Sequence, residues 1–201
     1  MTDLDALWLA RLQQVVDLAA HEVKDALNGV VLNVEVTRSR AGNVELPAAA
    51  IGPFAEAASA QVETLAQRVE SLLFLARSQR GQADVGVTLR HLARLLVPAA
   101  RADGGQLVVE GEGQLAPTSA PPVAVRLALA AGLLAVATPN TRGSCVLAAP
   151  GAGEGDSGAV VRFSHESAGA CTMDPVTVAA LAGHAVRIER SDKDLAVVFP
   201  R

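Results

Sequence analysis

The sequence predicts an α+β protein in which a long antiparallel helical hairpin, residues 1–81, precedes a small α/β sandwich, residues 82–201. Three observations predict it. Apolar residues recur at three- and four-residue steps through two long segments separated by a Gly/Asn/Pro break. After Gly81 this gives way to short strand-like runs interleaved with shorter helical ones. Half of the 201 residues are apolar, chiefly Ala, Val and Leu, so a sizeable core can be buried.

The first helix is expected over residues 4–40. Trp8, Leu12, Val15, Ala19, Val23, Ala26, Val30 and Val34 form one stripe, with Gln13, Gln14, Asp17, Lys24 and Arg38 off it. Gly29 is its weak point, costing about 1 kcal/mol against Ala in a helix interior. Ala41, Gly42, Asn43 and Pro47 stop it. A second helix is expected over 48–80, its tight core starting just after Pro53. Ile51, Ala55, Ala58, Val62, Leu65, Val69, Leu72 and Ala76 give it a heptad-like seam. Arg77 and Arg80 in the last turn suit the negative end of the helix dipole. Two helices cannot enclose such a seam and four can, so a homodimer forming a four-helix bundle is expected.

Beyond Gly81, Thr88–Ala100 reads as a short helix and Gln106–Glu110 as a strand. Val123–Ala137, after a Pro-Pro step, reads as a buried helix with Gly132 inside it. Ser144–Ala149 and Ala159–Ser164 read as strands, Pro175–Gly183 as a helix, and Val186–Arg190 with Leu195–Phe199 as a closing hairpin. The segment 151–158, GAGEGDSG, has four glycines but no Lys, and no helix opens after it. It reads as a solvated hairpin loop rather than a phosphate loop.

Composition removes several classes. Four Phe, one Trp, no Tyr and a net charge of −4 supply neither stacking platforms nor a basic patch, so no nucleic-acid partner is expected. The N-terminus is acidic and then amphipathic, unlike a signal peptide, and no window approaches about 18 apolar residues. No membrane association and a cytoplasmic location are the expectations. Cys145 and Cys171 read as small buried hydrophobes. His91, His165 and His184 have no metal-ligand spacing, and Ser144 and Ser164 have no neighbouring base.

The chemistry concentrates in Ala20–Asn33, AHEVKDALNGVVLN. His21 lies about 200° around the helix from Ala19, away from the stripe. An exposed imidazole beside a carboxylate can act as a nucleophile: the carboxylate holds one ring nitrogen and leaves the lone pair of the other free. Glu22 follows His21, with Lys24, Asp25 and Asn28 close by in helical space.

AHEVKDALNGVVLNVEV resembles the phosphoacceptor box of bacterial sensor histidine kinases, with His21, Glu22, Lys24, Leu27 and Asn28 matching it. Ala26 replaces the usual proline, and Asp25 stands where the family commonly has Thr or Asn. LAQRVESLLFLAR resembles the second dimerisation helix of that family. LRHLARLLVPAARADGGQLVVEGEG, AVRLALAAGLLAVATP and LAGHAVRIERSDKDLAVVFP resemble parts of its ATP-binding domain. The nucleotide boxes depart from the pattern. Leu133 stands where the magnesium-binding Asn belongs, and His165, Glu166, Ser167, Ala168 and Gly169 where the adenine-reading Asp-x-Gly-x-Gly belongs. Leucine offers a metal no oxygen.

The resemblance with these departures implies a histidine phosphotransferase on a degenerate kinase scaffold. It would pass phosphoryl groups between receiver-domain aspartates and His21 in a two-component phosphorelay, without ATP. His21 would be the nucleophile and Glu22 would orient and deprotonate the ring, with Lys24, Asp25 and Asn28 in support. No cofactor is expected in the chain itself; Mg²⁺ would come with the receiver. The alternatives are a non-catalytic dimeric adaptor, which the breaks at Asp25 and Ala26 favour, and a divergent histidine kinase.

Overall fold

Asp3 opens the first helix by accepting a hydrogen bond from the Asp5 N–H, and α1 then runs unbroken from Leu4 to Ala41. The computed structural model describes residues 3–42, 48–78, 81–148, 157–167 and 171–201. Asn43, Pro47 and Arg80, most of the 151–158 loop, and Ala168 and Gly169 of the altered nucleotide box lie outside these. A short 3₁₀ turn, Ala48–Ala50, leads into α2, Gly52–Ala76. Pro53 sits in the first turn of α2, where a missing N–H costs nothing.

The expected stripe of α1 turns inward as far as Val30, but Val34 is exposed and Asn33 takes its place in the seam. On α2 the expected seam needs correcting. Ala58, Leu65 and Leu72 turn inward with Phe54, Gln61, Arg68 and Leu75, whereas Ala55, Val62, Val69 and Ala76 are exposed. Gln61 and Arg68 can sit inside because α1 offers partners for their polar ends. Asn33 Nδ2 donates to Gln61 Oε1 at 3.0 Å, and Arg68 Nη1 donates to the Glu22 carbonyl at 2.6 Å. A second apolar stripe, Val62, Val69 and Leu73, is thereby left on the outside.

Asp84 accepts from the N–H of Val87 through Oδ1 and from that of Ala116 through Oδ2. This cap starts α3 at Val85, ahead of the expected Thr88, and α3 runs to Ala102. The same region holds β1 (Ala83–Asp84) antiparallel to β3 (Pro117–Thr118), two strands too short to show any periodicity in sequence. The strand β2 is Gln106–Glu110, as expected. Helix α4, Pro122–Val136, is apolar on every side and almost wholly buried. The strands β4 (Arg142–Ala148) and β5 (Ser157–His165), helix α5 (Pro175–Ala182), and strands β6 (Arg187–Arg190) and β7 (Asp194–Pro200) complete the chain.

The main sheet has the order β2-β4-β5-β7-β6, with β2 parallel to β4 and the other neighbours antiparallel. Helices α3 and α4 pack on it, α4 so closely that a Cβ at Gly132 would come within 2.4 Å of the Phe163 ring. The core runs on into the hairpin: Trp8, Val15, Ala19 and Leu75 belong to one buried cluster with Leu89, Leu92, Leu127 and Leu129. An ion pair between Arg11 Nη2 and Asp174 Oδ2, 2.5 Å apart, joins α1 to the N-cap of α5. The molecule is thus α+β, a long helical hairpin followed by a small two-layer sandwich.

Candidate functional site

His21 stands near the middle of α1, on the face turned away from α2, and its side chain is 72% exposed. Asp25, one turn on and 55% exposed, places Oδ2 3.1 Å from His21 Nε2. Lys24 and Asn28 lie on the same open face, with exposed Leu18 and Leu32 above and below. Residues three, four and seven positions apart share a helix face, so this grouping follows directly from the spacing.

Glu22 is elsewhere. Adjacent helical residues point about 100° apart, which turns Glu22 toward α2. There Arg68 Nη2 lies 3.6 Å from its carboxylate, and the side chains are only 17% and 12% exposed. The carboxylate on the imidazole is therefore that of Asp25, and the expected placing of Glu22 on the ring is corrected. The Asp25 carboxylate is the acceptor placed beside Nε2, where it can hold a ring proton on that nitrogen. Sequence reasoning passed over Arg68. The available signal was a cation standing between Leu65 and Leu72 at inward helical spacing, level with an acidic residue on an antiparallel partner.

The other histidines are tied into the fold. His91 of α3 stacks on Phe74 with ring centroids 4.0 Å apart, and its Nδ1 lies 3.1 Å from Ser71 Oγ. The Ser71 hydroxyl already donates to the Gln67 carbonyl, so His91 is the donor and carries its proton on Nδ1. Burial pulls the His91 pKa down, and Arg94 and Arg90 add to this against the opposing Glu70. It borders a groove of about 740 Å³ floored by Val62, Leu65, Val69, Leu73 and Phe74. Buried His165 accepts at Nδ1 from the Ser167 N–H, while Nε2 meets the hydroxyls of Thr138 at 2.9 Å and Thr141 at 3.1 Å. Leu133 is fully buried within α4. Burial raises the Cys171 thiol to about 11 and pushes Cys145 up further.

No family model matches the chain, and no curated protein matches it. Among solved structures, the chain is similar to the cytoplasmic segment of histidine kinase QseC at 12% identity and a TM-score of 0.40, covering 71% of this chain and 94% of that one. It is also similar to Acinetobacter baumannii histidine kinase AdeS at 11% identity and a TM-score of 0.42, covering 90% of this chain and 97% of that one. Among the described residues no helix is long and apolar enough to cross a membrane.

Proposed function

We propose that the chain is a histidine phosphotransferase of a two-component phosphorelay, with His21 as the phosphoacceptor. One observation carries the reading: an imidazole open to solvent on a hairpin face, with the carboxylate of Asp25 beside Nε2, which leaves the free nitrogen of the reading to be Nδ1. The free nitrogen attacks the phosphorus of a receiver aspartyl phosphate in line. The bond from phosphorus to the aspartyl oxygen breaks, the receiver regains its carboxylate, and the imidazolium so formed shares its proton with Asp25. Mg²⁺ would come with the receiver, where it would offset charge on the phosphoryl oxygens. Lys24 adds positive charge beside the ring, and Asn28, Leu18 and Leu32 give the receiver a mixed polar and apolar surface to rest on.

Two features support transfer without ATP. At the position where the resembled family binds magnesium, Leu133 offers no oxygen and is packed inside α4. At the position of the adenine-reading acid, both nitrogens of His165 are already hydrogen-bonded within the protein. These residues do not fit a nucleotide site. The outward stripe of Val62, Val69 and Leu73 supports a homodimer, since a second copy would cover it.

The test is incubation with a phosphorylated receiver. The expected product is an acid-labile, base-stable label on the native chain that His21→Ala abolishes. An unlabelled native chain, or equal label on the variant, overturns the reading. A native chain that holds the receiver but takes no label from it would favour a dimeric adaptor instead.

A further inference from the structure

One guanidinium bonds the carbonyl and pairs with the carboxylate of the residue that follows His21. Arg68 Nη1 donates to the Glu22 carbonyl at 2.6 Å, and Nη2 lies 3.6 Å from the Glu22 carboxylate. Both side chains are largely enclosed between α1 and α2, unlike His21 and Asp25. Eleven residues beyond Glu22 on α1 a second polar contact crosses the seam, where Asn33 Nδ2 donates to the Gly29 carbonyl and to Gln61 Oε1, each at 3.0 Å. Polar layers in an otherwise apolar helical seam fix register at some cost in stability. Here they also fix rotation, because drawing Glu22 toward α2 turns its neighbour about 100° outward.

We propose that Arg68 is a positioning residue for His21: it sets the rotation of α1 at that turn and keeps the Glu22 carboxylate off the imidazole, leaving Asp25 as the only carboxylate on the ring among the described residues. The purpose of this arrangement rests on His21 being the phosphoacceptor; the coupling itself does not. Two carboxylates at one imidazole would compete for its protonated nitrogen and crowd the approach of an anionic phosphoryl group with like charge. The guanidinium of Arg68, bonded to the Glu22 carbonyl and paired with its carboxylate, draws Glu22 to the inner side and removes that competition.

The test is a double-mutant cycle on the reactivity of the His21 ring toward diethyl pyrocarbonate, which needs no receiver. The full chain is compared as native, Glu22→Gln, Arg68→Met and the double variant, and modification of the His21 peptide is followed by mass spectrometry. In the native background Glu22→Gln is expected to change the initial rate by less than about twofold, and in the Arg68→Met background by at least about threefold, because an unheld Glu22 can then reach the ring. The same ratio in both backgrounds overturns the proposal. Arg68→Lys keeps the charge without the fork; it is expected to give an intermediate ratio, and it replaces Arg68→Met in the cycle if that variant loses its helical circular dichroism. Unequal ratios in a chain that takes no phosphoryl label would keep Arg68 in this role and defeat the phosphoacceptor reading. Equal ratios in a chain that is labelled would do the reverse.

Discussion

The guanidinium of Arg126 donates to the Leu75 carbonyl at 2.8 Å, joining buried α4 to the last turn of α2. The same Nη1 reaches the Arg77 carbonyl at 2.9 Å, and the guanidinium carbon lies 5.6 Å from the centre of the Trp8 ring. A cation therefore takes up carbonyls that the end of α2 leaves without helical partners. This is why α2 stops at Ala76 and does not run to residue 80: Arg77 is extended, and its carbonyl turns to Arg126.

Arg126→Met tests that joint while keeping an apolar stem beside Trp8. Charge-assisted bonds to two carbonyls are lost, and part of that loss is offset because the charge no longer has to be kept out of water. The expected net destabilisation is about 2 kcal/mol, read from urea unfolding followed by helical circular dichroism. A change within about 0.5 kcal/mol, the ordinary range for surface substitutions, would show that Arg126 does not hold the joint.

Much of this framework was legible in the sequence, and the parts that were not have physical reasons. Both long helices and all five strands of the main sheet announce themselves through apolar periodicity, because burial of one face is what periodicity records, and the buried α4 announces itself as a long apolar run. The α2 seam was misread at Val62 and Val69 because a heptad pattern shows that two stripes are apolar but not which one faces α1. Gln61 and Arg68 decide that, through bonds to Asn33 and Glu22 that no local pattern displays. His21 could be found from its angle to the stripe. Its carboxylate partner was misassigned because sequence adjacency suggests Glu22, whereas helical geometry favours the residue four positions on.

Gly29 offers a second test of the seam. A Cβ there would come within 2.4 Å of Gln61 Nε2, so the glycine makes room for the Asn33–Gln61 contact. Gly29→Ala is expected to be nearly neutral in the native chain, its helix propensity gain cancelled by displacement of Gln61. In a Gln61→Ala background the same change should stabilise by about 1 kcal/mol. Equal effects in the two backgrounds, measured by thermal unfolding, would remove Gln61 as the reason for the glycine.

Two groups set the response to acid. Burial pushes the Asp174 carboxyl up, but bonds from the Thr177 N–H and hydroxyl and the pairing with Arg11 outweigh it and hold the group below its ordinary range. Its contribution is present above the unfolded carboxylate range and lost as pH falls through the depressed value. Asp174→Asn retains an N-cap side chain and removes the charge, so the stability gap to the native chain should be open at pH 6 and close as pH falls below the ordinary carboxylate range through the depressed folded value. With the pair partly exposed, the gap is expected to stay under about 1 kcal/mol.

His91 acts at a higher pH. Burial, then Arg94, depress its pKa in the fold, so the unfolded chain binds the proton more readily. Stability from this group is fully present above about pH 6.5 and falls as pH drops through the depressed folded value. His91→Phe preserves an aromatic ring against Phe74 and cannot take the proton. Urea midpoints measured from pH 7.5 to 5 should decline less in the variant than in the native chain. Parallel declines would place the acid sensitivity elsewhere.

The catalytic reading turns on which carboxylate serves the ring. Asp25 Oδ2 touches Nε2, while Glu22 is committed to Arg68. In the proposed reaction Asp25 would fix the tautomer and receive the proton, and Asp25→Ala removes it. For an exposed pair whose ground-state interaction is small, the expected loss is on the order of tenfold in the rate of label transfer from a phosphorylated receiver. Glu22→Gln leaves Asp25 in place, and the amide oxygen it introduces can still accept from Arg68, so its loss should stay within about threefold. The rates should be compared at saturating receiver, because Asp25 lies on the surface where the receiver would rest and its removal also affects binding. Under those conditions an order of sensitivity in which Glu22→Gln is the more damaging change would return the role of orienting base to Glu22. It would also imply that the docked receiver draws Arg68 away from the hairpin seam.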